Sequence, residues 1–489
     1  MSKNTTKRSL LASVFALVLC VAMLVGSTFA WFTDTASTGV NKIVSGNLKV
    51  DIIGANSDSH IEKLNFTKAA ITDAEAGAEI LWEPGCRYLT EGFRIANKGN
   101  LALKWKAQVN TGTTAANEGN FDLLDVIDFY LVTKAADGTE TETALDVFTG
   151  NLKKTETSDV YYIKGVMQTT AGNDYQGLTL DGISITVVAT QDTVENDSFN
   201  NQYDKDAEYP ILVTTGDQLQ ATVNNATAPV NIVLANSITT NNFVIPADKD
   251  VTLDLNGRTV TNAGSHTILN KGHLTLTDSS TDKSGQIISL KGNTAALRNG
   301  DNAVCVVEGG TISRNGADGN TWHVVENFGK MTFNGGKVVL KNGNGFAITN
   351  GWNYFDPGAS TTHAVMEINA LELDTDSSGI KNCRYGDLTV NDVTVTSTGY
   401  WALSNDYLGT AVINGGTLTS NSFKAVSNGA AMTVNGGTFN GTEGLFVQSY
   451  ATSTVLNGGT FANMNVAALS SYVGTGHTAQ QSGTSVIIK

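Results

Sequence analysis

The first part of the chain contains short runs in which apolar and polar residues alternate. From Leu48 to Ile52 every second residue is leucine, valine or isoleucine, which is the period of a strand with one buried face. No stretch in this part keeps a helical period for long. The pattern predicts an antiparallel β-sandwich, because antiparallel sheets tolerate one solvated face. Similar runs lie at Phe93–Ile95, Leu103–Val109, Phe129–Val132 and Ile183–Val188.

The second part of the chain is built from a repeat. The octapeptide that starts at Met331 and contains Asn-Gly-Gly recurs at Ala411, Met432 and Thr454, with degenerate copies at Thr252, Met366 and Leu388. Successive copies are separated by 35, 22, 23, 21 and 22 residues, counted between Asn334, Asn369, Asn391, Asn414, Asn435 and Asn457. A period of two or three short strands predicts a solenoid. The glycine after each of these asparagines is expected to supply a positive φ at a corner of the coil.

A second set of asparagines runs in step with the first. Each closes a short apolar run, and side-chain amides stacked at one turn can bond to the coils above and below. The two sets together resemble the right-handed parallel β-helix of the pectin-lyase-like class. About nine coils spaced by about 4.8 Å would give a rod of about 40–45 Å. The members of this predicted ladder are Asn270, Asn299, Asn327, Asn350, Asn382, Asn405 and Asn428.

Changes in local composition and hydrophobic pattern divide the chain into domains. Asn201 to Glu208 is polar and is typical of a linker, and Thr215 to Asn224 predicts a short helix with Thr215 as its cap. A solenoid needs such a cap to protect its terminal coil. The predicted fold is all-β, with a β-sandwich over residues 31–205 and a parallel β-helix with an N-terminal capping helix over residues 206–489.

Residues 1–30 have the composition of a secretory signal peptide. Lys3, Lys7 and Arg8 precede an almost unbroken apolar run from Leu10 to Val25. Thr28 and Ala30, the small residues at the −3 and −1 positions, predict cleavage between Ala30 and Trp31. Because the apolar run is short for a membrane span, we expect a secreted chain with no membrane association after cleavage.

The chain is acidic and contains few charges. Its formal net charge is −15, and 16% of its residues are charged. Residues 1–30 carry three positive charges and no negative one, so the net charge after cleavage is −18. Charge alone does not draw such a chain to nucleic acid, and we expect no nucleic-acid partner.

The region around the predicted cleavage site resembles the TasA/camelysin family. The resemblance is carried by Trp31-Phe32-Thr33-Asp34-Thr35, by Trp82–Gly85, by Ile95–Asn100 and by the segment that contains Ala189-Thr190-Gln191-Asp192. It covers about a third of the chain and implies a jelly-roll sandwich whose freed N-terminal segment inserts into the sheet of the next subunit. Trp31, Phe32, Thr33, Asp34 and Thr35 would form that donated strand, and a second copy of the chain would be the partner. The alternative is that residues 31–40 are only a disordered N-terminal segment created by cleavage, with no role in assembly.

The pectin-lyase-like class also contains polysaccharide lyases and hydrolases, which set carboxylates in one groove of the rod. The candidates here are Glu372, Asp374, Asp376 and Asp392, with Lys381 and Arg384 nearby. Strand alternation places the first three on one outer face, whereas Asp392 aligns with Ala370 and Gly415. We expect a solvated face and no catalytic residue.

Histidine and cysteine predict neither a metal site nor a cofactor. The six histidines form no HExxH motif and no pair at i, i+4 spacing. Cys305 and Cys383 would lie three coils apart, about 14 Å by strand spacing and beyond the reach of a disulfide. We therefore expect both to be small buried residues.

Aromatic residues suggest a binding surface. The 35-residue interval contains an insertion with Trp352, Tyr354 and Phe355. Insertions in solenoids often form loops on the ligand-binding face. With Tyr400, Trp401 and Tyr407 on a nearby coil, these rings could stack on sugars. The alternative is that some rings pad coil corners, because Trp322, Tyr400 and Phe423 each stand five residues before a ladder asparagine.

The sequence therefore favours a secreted structural or adhesive protein of the extracellular matrix or cell surface of a Gram-positive-type bacterium, with cell-wall or host polysaccharide as a second partner. The competing hypothesis is a secreted polysaccharide lyase or hydrolase.

Overall fold

The computed structural model describes residues 47–61, 64–67, 82–110, 113–114, 121–145, 147–181, 183–192, 208–262, 264–315, 322–343, 345–352 and 362–489. The predicted cleavage site, the predicted donor strand, Tyr354 and Phe355 lie outside these residues, as does the predicted domain boundary near residue 205.

The N-terminal part consists of antiparallel sheets, as the alternating pattern predicts. A small two-stranded sheet joins Thr113–Thr114 to Leu180–Asp181, and 3-10 turns lie at Leu123–Asp125 and Asn173–Tyr175. One larger sheet contains Val50–Gly54, Phe66–Thr67, Arg87–Thr90, Phe93–Asn97, Ile127–Lys134, Glu140–Ala144 and Tyr161–Met167. The other contains Leu103–Asn110, Phe148–Leu152 and Ser184–Gln191.

Inward side chains of these two sheets form one apolar cluster. Its buried members are Phe93, Ile95, Leu103, Trp105, Ala107, Leu131, Leu152 and Ile163. Two of the segments that carry the resemblance, Trp82–Gly85 and Ile95–Asn100, contain turns of the sandwich. Asn97 is 2% exposed, and its Nδ2 donates to the carbonyl oxygens of Leu101 and Lys153 at 2.7 and 3.1 Å. Gly85 follows Pro84 with a φ of +89°, which favours glycine.

The second part is a right-handed parallel β-solenoid of about ten turns, which confirms the predicted fold class. Each complete coil contributes one strand to each of three faces, which we name A, B and C in chain order, and the coils at the two ends are incomplete. Face A contains Ile211–Val213, Val230–Leu234, Asp250–Asp254, His273–Thr277, Val304–Val307, Lys330–Phe333, Ala364–Ile368, Gly386–Val390, Thr410–Ile413, Ala431–Val434 and Ser453–Leu456.

Faces B and C complete the coils. Face B contains Ile238–Thr240, Thr259–Asn262, Gln286–Ser289, Thr311–Asn315, Lys337–Lys341, Glu372–Thr375, Thr394–Ser397, Thr417–Ser420, Thr438–Asn440 and Gly459–Phe461, followed by Ser485–Ile488 and Ala479–Ser482. Face C contains Val244–Ile245, Ile268–Asn270, Leu297–Asn299, Val325–Asn327, Phe346–Asn350, Ser378–Asn382, Leu403–Asn405, Val426–Asn428 and Leu445–Val447.

A continuous apolar column runs inside the rod. In face A the same inward position is occupied by Leu253, Leu276, Val307, Phe333, Ile368, Val390, Ile413, Val434 and Leu456, all at most 1% exposed. Each coil therefore buries its apolar side chains against the coils on both sides, and no coil has a core of its own.

Both ends of the solenoid are covered. The predicted N-terminal helix is Gly216–Asn225, with the Thr215 side chain accepting from Gln218 N and with Leu219 and Val223 fully buried. The C-terminal end has a short helix, Val466–Leu469, a 3-10 turn, Ser470–Tyr472, and the antiparallel pair Ala479–Ser482 and Ser485–Ile488. The sequence pattern did not predict this C-terminal cover.

The Asn-Gly-Gly corner differs in one detail from the expectation. The second glycine of each pair, not the first, has a positive φ; at Gly336, Gly416, Gly437 and Gly459 it is +91°, +96°, +107° and +110°. The first glycine is needed for a different reason, because a Cβ there would lie too close to a carbonyl of the preceding coil. At Gly458 that atom would be 2.2 Å from Asn435 O.

Candidate functional site

The seven asparagines of the predicted ladder lie at the C-terminal ends of successive face C strands, and all are 0% exposed. We call this set the inner ladder. Each Nδ2 donates to Oδ1 of the asparagine on the next coil, at 2.7–2.9 Å, from Asn270 through to Asn428. The Nδ2 groups also donate to strand carbonyls, as Asn382 does to Thr410 O at 2.9 Å. The amides of this buried column therefore pair with one another and with the backbone.

The asparagines of the Asn-Gly-Gly corner form a second column, the outer ladder, on the exposed edge between faces A and B. Here each Nδ2 donates to the preceding coil, at 2.7–2.9 Å, from Asn457 back to Asn334. Asn334 in turn donates to Glu308 Oε1 at 2.8 Å. The two ladders therefore donate in opposite directions along the rod.

Between the inner ladder and face B, the outer surface of face C has a recessed polar floor. Arg298, Glu326, Thr349, Lys381, Ser404, Ser427 and Phe446 occupy the same outward position on successive strands. Glu326, Thr349 and Ser427 are only 3%, 5% and 2% exposed. Outward side chains are buried to this degree only where neighbouring groups rise above them.

Aromatic residues form one border of this floor, on the corner between faces C and A. Phe328 and Trp352 have ring centroids 4.5 Å apart, and the Arg384 guanidinium lies 4.7 Å from the ring of Tyr385. Tyr407 and Tyr450 are 45% and 54% exposed. We call Phe328, Trp352, Tyr385, Tyr407 and Tyr450 the CA row; they lie on five of six successive coils, a span of about 24 Å by strand spacing.

A second aromatic border lies on the corner between faces B and C. Trp401 packs edge-on against Phe423 at 4.6 Å and parallel to Phe446 at 6.0 Å. Tyr400, which is 55% exposed, contacts Phe423 at 5.9 Å. We call Trp322, Phe346, Tyr400, Trp401 and Phe423 the BC row.

The charged groups of face C are paired with one another. Arg298 Nη1 bonds to Glu326 Oε2 at 3.0 Å, and Trp322 Nε1 donates to the other carboxylate oxygen at 2.9 Å. Two further ion pairs join Lys381 to Asp406 and Lys424 to Glu443, each at 3.1 Å. The face therefore offers aromatic rings and hydrogen-bonding groups with little excess charge, which suits a neutral ligand with apolar ring faces and polar edges.

The predicted aromatic residues divide between the two rows. Trp352 and Tyr407 lie in the CA row, and Tyr400 and Trp401 lie in the BC row, so no single cluster contains the set. Phe328, Tyr385 and Tyr450 were not predicted as ligand-facing residues. Their signal is a position one to three residues after the end of a face C strand, which becomes visible only when the coils are aligned.

The carboxylates considered for catalysis are paired on face B. Glu372 and Asp374 contact Lys337 and Lys341 of the preceding coil at 2.6 and 2.8 Å. Asp376 Oδ2 accepts from Asn342 N at 2.6 Å, and Asp392 is exposed at the next corner. Lys381 and Arg384 lie on face C and its far corner, so the structure does not bring them to the acidic residues.

The sandwich has an open edge of its own. Phe148–Leu152 pairs on one side with Leu103–Asn110 and is the last strand of its sheet within the described residues. A cleft of about 240 Å³ beside it is lined by Trp105, Gly150, Leu152 and Tyr161 among others. Among the described residues, the buried Trp105 Nε1 has no hydrogen-bond partner. An added strand could pair with this edge and place an apolar side chain near the cleft.

The two cysteines of the solenoid lie inside the rod, as the sequence predicts. Cys305 and Cys383 are buried free thiols, and burial raises the pKa of each to about 12. No group of three or more His, Cys, Asp or Glu side chains in the described ranges is placed to hold a metal ion. Nor do those ranges contain a helix with the length and apolarity needed to cross a membrane.

Comparison of the chain with protein-family models, with curated proteins and with solved structures finds no match. The class of the protein is therefore defined by its fold, an all-β chain with a long parallel solenoid.

Proposed function

We propose that the chain is a secreted structural and adhesive protein of the TasA/camelysin type, in which the sandwich assembles by strand donation and the solenoid is a rigid rod that binds glycans. The observation that carries this proposal is face C, a polar floor bordered along the rod by two aromatic rows. The continuous core and the two amide ladders support the role of a rigid spacer.

The open edge of Phe148–Leu152 supports assembly by strand donation. Trp31 to Thr35 of one copy would pair with this edge of the next copy. Burial of Trp31 and Phe32 would add about 1.5–3 kcal/mol for each ring, together with backbone hydrogen bonds. The contact is head-to-tail, so it propagates as a filament unless it closes into a ring.

We expect the chain that starts at Trp31 to form filaments and the chain that starts at Asn41 to remain without them, because only the first has the donor segment. Electron microscopy and sedimentation of both chains measure this. Thr149→Pro, which places a proline in the open edge strand, should also suppress filaments. Val365→Lys, at an exposed position of face A, is the surface control and should leave filament formation unchanged. Filaments from the shorter chain would contradict donation.

We expect binding to neutral polysaccharide to depend on the aromatic rows. Tyr407→Ala and Trp401→Ala should each weaken binding about tenfold, since loss of one stacked ring costs about 1.4 kcal/mol. Affinity electrophoresis in gels that contain soluble β-glucans or cell-wall polysaccharide measures the change. Val365→Ala removes an exposed apolar group on face A and should leave binding unchanged.

The same incubations separate binding from degradation. Release of reducing or unsaturated sugars that is lost in Asp374→Asn would support the competing hypothesis of a polysaccharide lyase or hydrolase. If the aromatic variants bind polysaccharide with the same affinity as the wild-type chain, face C is not the binding surface.

A further inference from the structure

Face B ends in a strand whose second edge is unpaired. Gly459–Phe461, the last parallel strand of this face, pairs antiparallel with Ser485–Ile488, and Ser485–Ile488 pairs antiparallel with Ala479–Ser482. In the described part of the chain no further strand continues the sheet beyond Ala479–Ser482. We call this strand the terminal edge.

The backbone of the terminal edge presents hydrogen-bonding groups outward. Thr478 N donates to Lys489 O at 2.8 Å, and Lys489 N donates to Thr478 O at 3.1 Å, so these residues form a hydrogen-bonded pair. Because such pairs alternate in an antiparallel ladder, Thr478, Gln480 and Ser482 bond inward to Ser485–Ile488. The N–H and C=O groups of Ala479 and Gln481 therefore point to the open side.

Side-chain contacts hold the terminal edge in its extended shape. Gln481 Nε2 donates to the carbonyl oxygens of Met464, Gly483 and Ser485 at 3.0–3.1 Å, and its Oε1 accepts from Val466 N at 3.3 Å. Ala479 packs against the apolar core of the rod. A preformed strand does not have to be ordered when a partner adds to it, which favours association.

The terminal edge is a short strand of four residues, and it lacks two features that commonly protect an exposed strand. Proteins block edge-to-edge pairing with charged side chains, proline or bulges, and Ala479–Ser482 contains no charged residue and no proline. Gln480 and Ser482, whose side chains point to the outer surface, are exposed. The strand is therefore open to pairing with an uncharged partner strand.

Charge indicates which partner can approach this end. No lysine, arginine, aspartate or glutamate occurs from Gly444 to Ile488, the longest such stretch in a chain of net charge −15. Copies of so acidic a chain repel one another over most of their surface. The C-terminal end of the rod is the region where this repulsion is weakest, so a second copy fits here.

We propose that two copies of the chain join tail to tail by antiparallel pairing of their terminal edges. Ala479 of one copy would exchange two backbone hydrogen bonds with Gln481 of the other, and the symmetry-related pair would add two more. Gln480 of one copy would then face Gln480 of the other as a non-hydrogen-bonded pair, with Cα atoms about 4.5 Å apart. The contact is isologous and closes at two copies, and it does not depend on the proposed N-terminal donation.

The test uses the chain that starts at Asn41, which keeps every described residue and lacks the donor segment. Sedimentation velocity from about 1 µM to about 1 mM, the range of weak contacts, should show a monomer–dimer equilibrium. Gln480→Lys and Gln480→Glu should each raise the dimer Kd at least tenfold, because each places two like charges directly opposite each other. Ser453→Lys adds the same charge at an exposed position of face A and should change Kd less than twofold.

A mixture of Gln480→Lys and Gln480→Glu chains provides a rescue experiment. Opposite charges would then face each other, and a heterodimer should form at concentrations where each variant alone is monomeric. A wild-type chain that stays monomeric over the whole range, a dimer unaffected by Gln480→Lys, or a mixture that gives no heterodimer would each overturn the proposal. Failure of filaments from the chain that starts at Trp31 would bear on strand donation alone.

Discussion

Replacement of Asn382 by alanine is expected to lower the free energy of unfolding of the solenoid by about 3 kcal/mol. Asn382 is fully buried, and its amide holds four hydrogen bonds: Nδ2 donates to Asn405 Oδ1 and to the carbonyls of Gly386 and Thr410, and Oδ1 accepts from Asn350 Nδ2. The substitution removes these partners without allowing water to replace them. Each buried group that loses its partner costs about 1–3 kcal/mol.

The outer ladder offers a matched control for this prediction. Asn414 makes the same type of bonds, as donor to Asn391 and acceptor from Asn435, each at 2.8 Å, but it is exposed. Water can replace the lost partners there, so Asn414→Ala should cost less than about 1 kcal/mol. Urea denaturation of the chain that starts at Asn41, followed by circular dichroism, measures both changes. Equal losses at the two positions would show that burial does not determine the strength of the inner ladder.

Acidification from pH 6.5 to pH 4 is expected to destabilise the solenoid through two partly buried histidines. Burial lowers the pKa of His323 and of His266 from 6.5 to about 4. Nearby positive charge adds to the effect, Lys381 and Arg314 at His323 and Arg298 at His266. In the unfolded chain both side chains take up protons near their ordinary pKa of about 6.5.

The sign of the effect follows from proton uptake. Between pH 6.5 and pH 4 the unfolded state binds more protons than the folded state, so the free energy of unfolding falls as the pH falls. A downward pKa shift of this size corresponds to at most about 3 kcal/mol for His323. The contribution of His266 is smaller, because this more exposed side chain is screened by solvent. Urea midpoints measured from pH 7.5 to pH 4 should therefore decrease through this window.

Substitutions test the assignment to these histidines. His323→Gln removes the titrating group and should flatten the pH profile, even if the variant is less stable at pH 7.5. His273→Gln is the control, since its side chain is 60% exposed, and it should leave the slope unchanged. A profile with the same slope in His323→Gln would place the pH dependence elsewhere.

The solenoid could be predicted from the sequence because its coils repeat with the same period as the sequence. Each coil from that of Asn270 to that of Asn428 places apolar residues at the same inward positions and closes on an asparagine, so residues at equal phase have equal environments. That is why Asn270 to Asn428 can be aligned before the coordinates are known, and why the helix with Leu219 and Val223 can be placed at one end. The sandwich strands follow from simple alternation, but their pairing does not, because antiparallel partners such as Tyr161–Met167 and Ile127–Lys134 are distant in sequence.

The candidate site could be predicted only in part. The two aromatic rows depend on which corner of the coil each ring occupies, and Tyr400 and Tyr407 are close in sequence yet lie on opposite borders of face C. Ion pairs such as Lys337–Glu372 join coils separated by the 35-residue interval. The C-terminal cover has no repeat phase, because Ser485–Ile488 turns back against the direction of every coil before it.

The opposite donor directions of the two ladders have an electrical consequence. A column of amides that all donate the same way is a line of aligned dipoles, which leaves partial positive charge at one end and partial negative charge at the other. The inner ladder points its donors toward the C-terminal end and the outer ladder toward the N-terminal end. The two lines therefore largely cancel at a distance, and neither end of the rod acquires a polarity from its ladders.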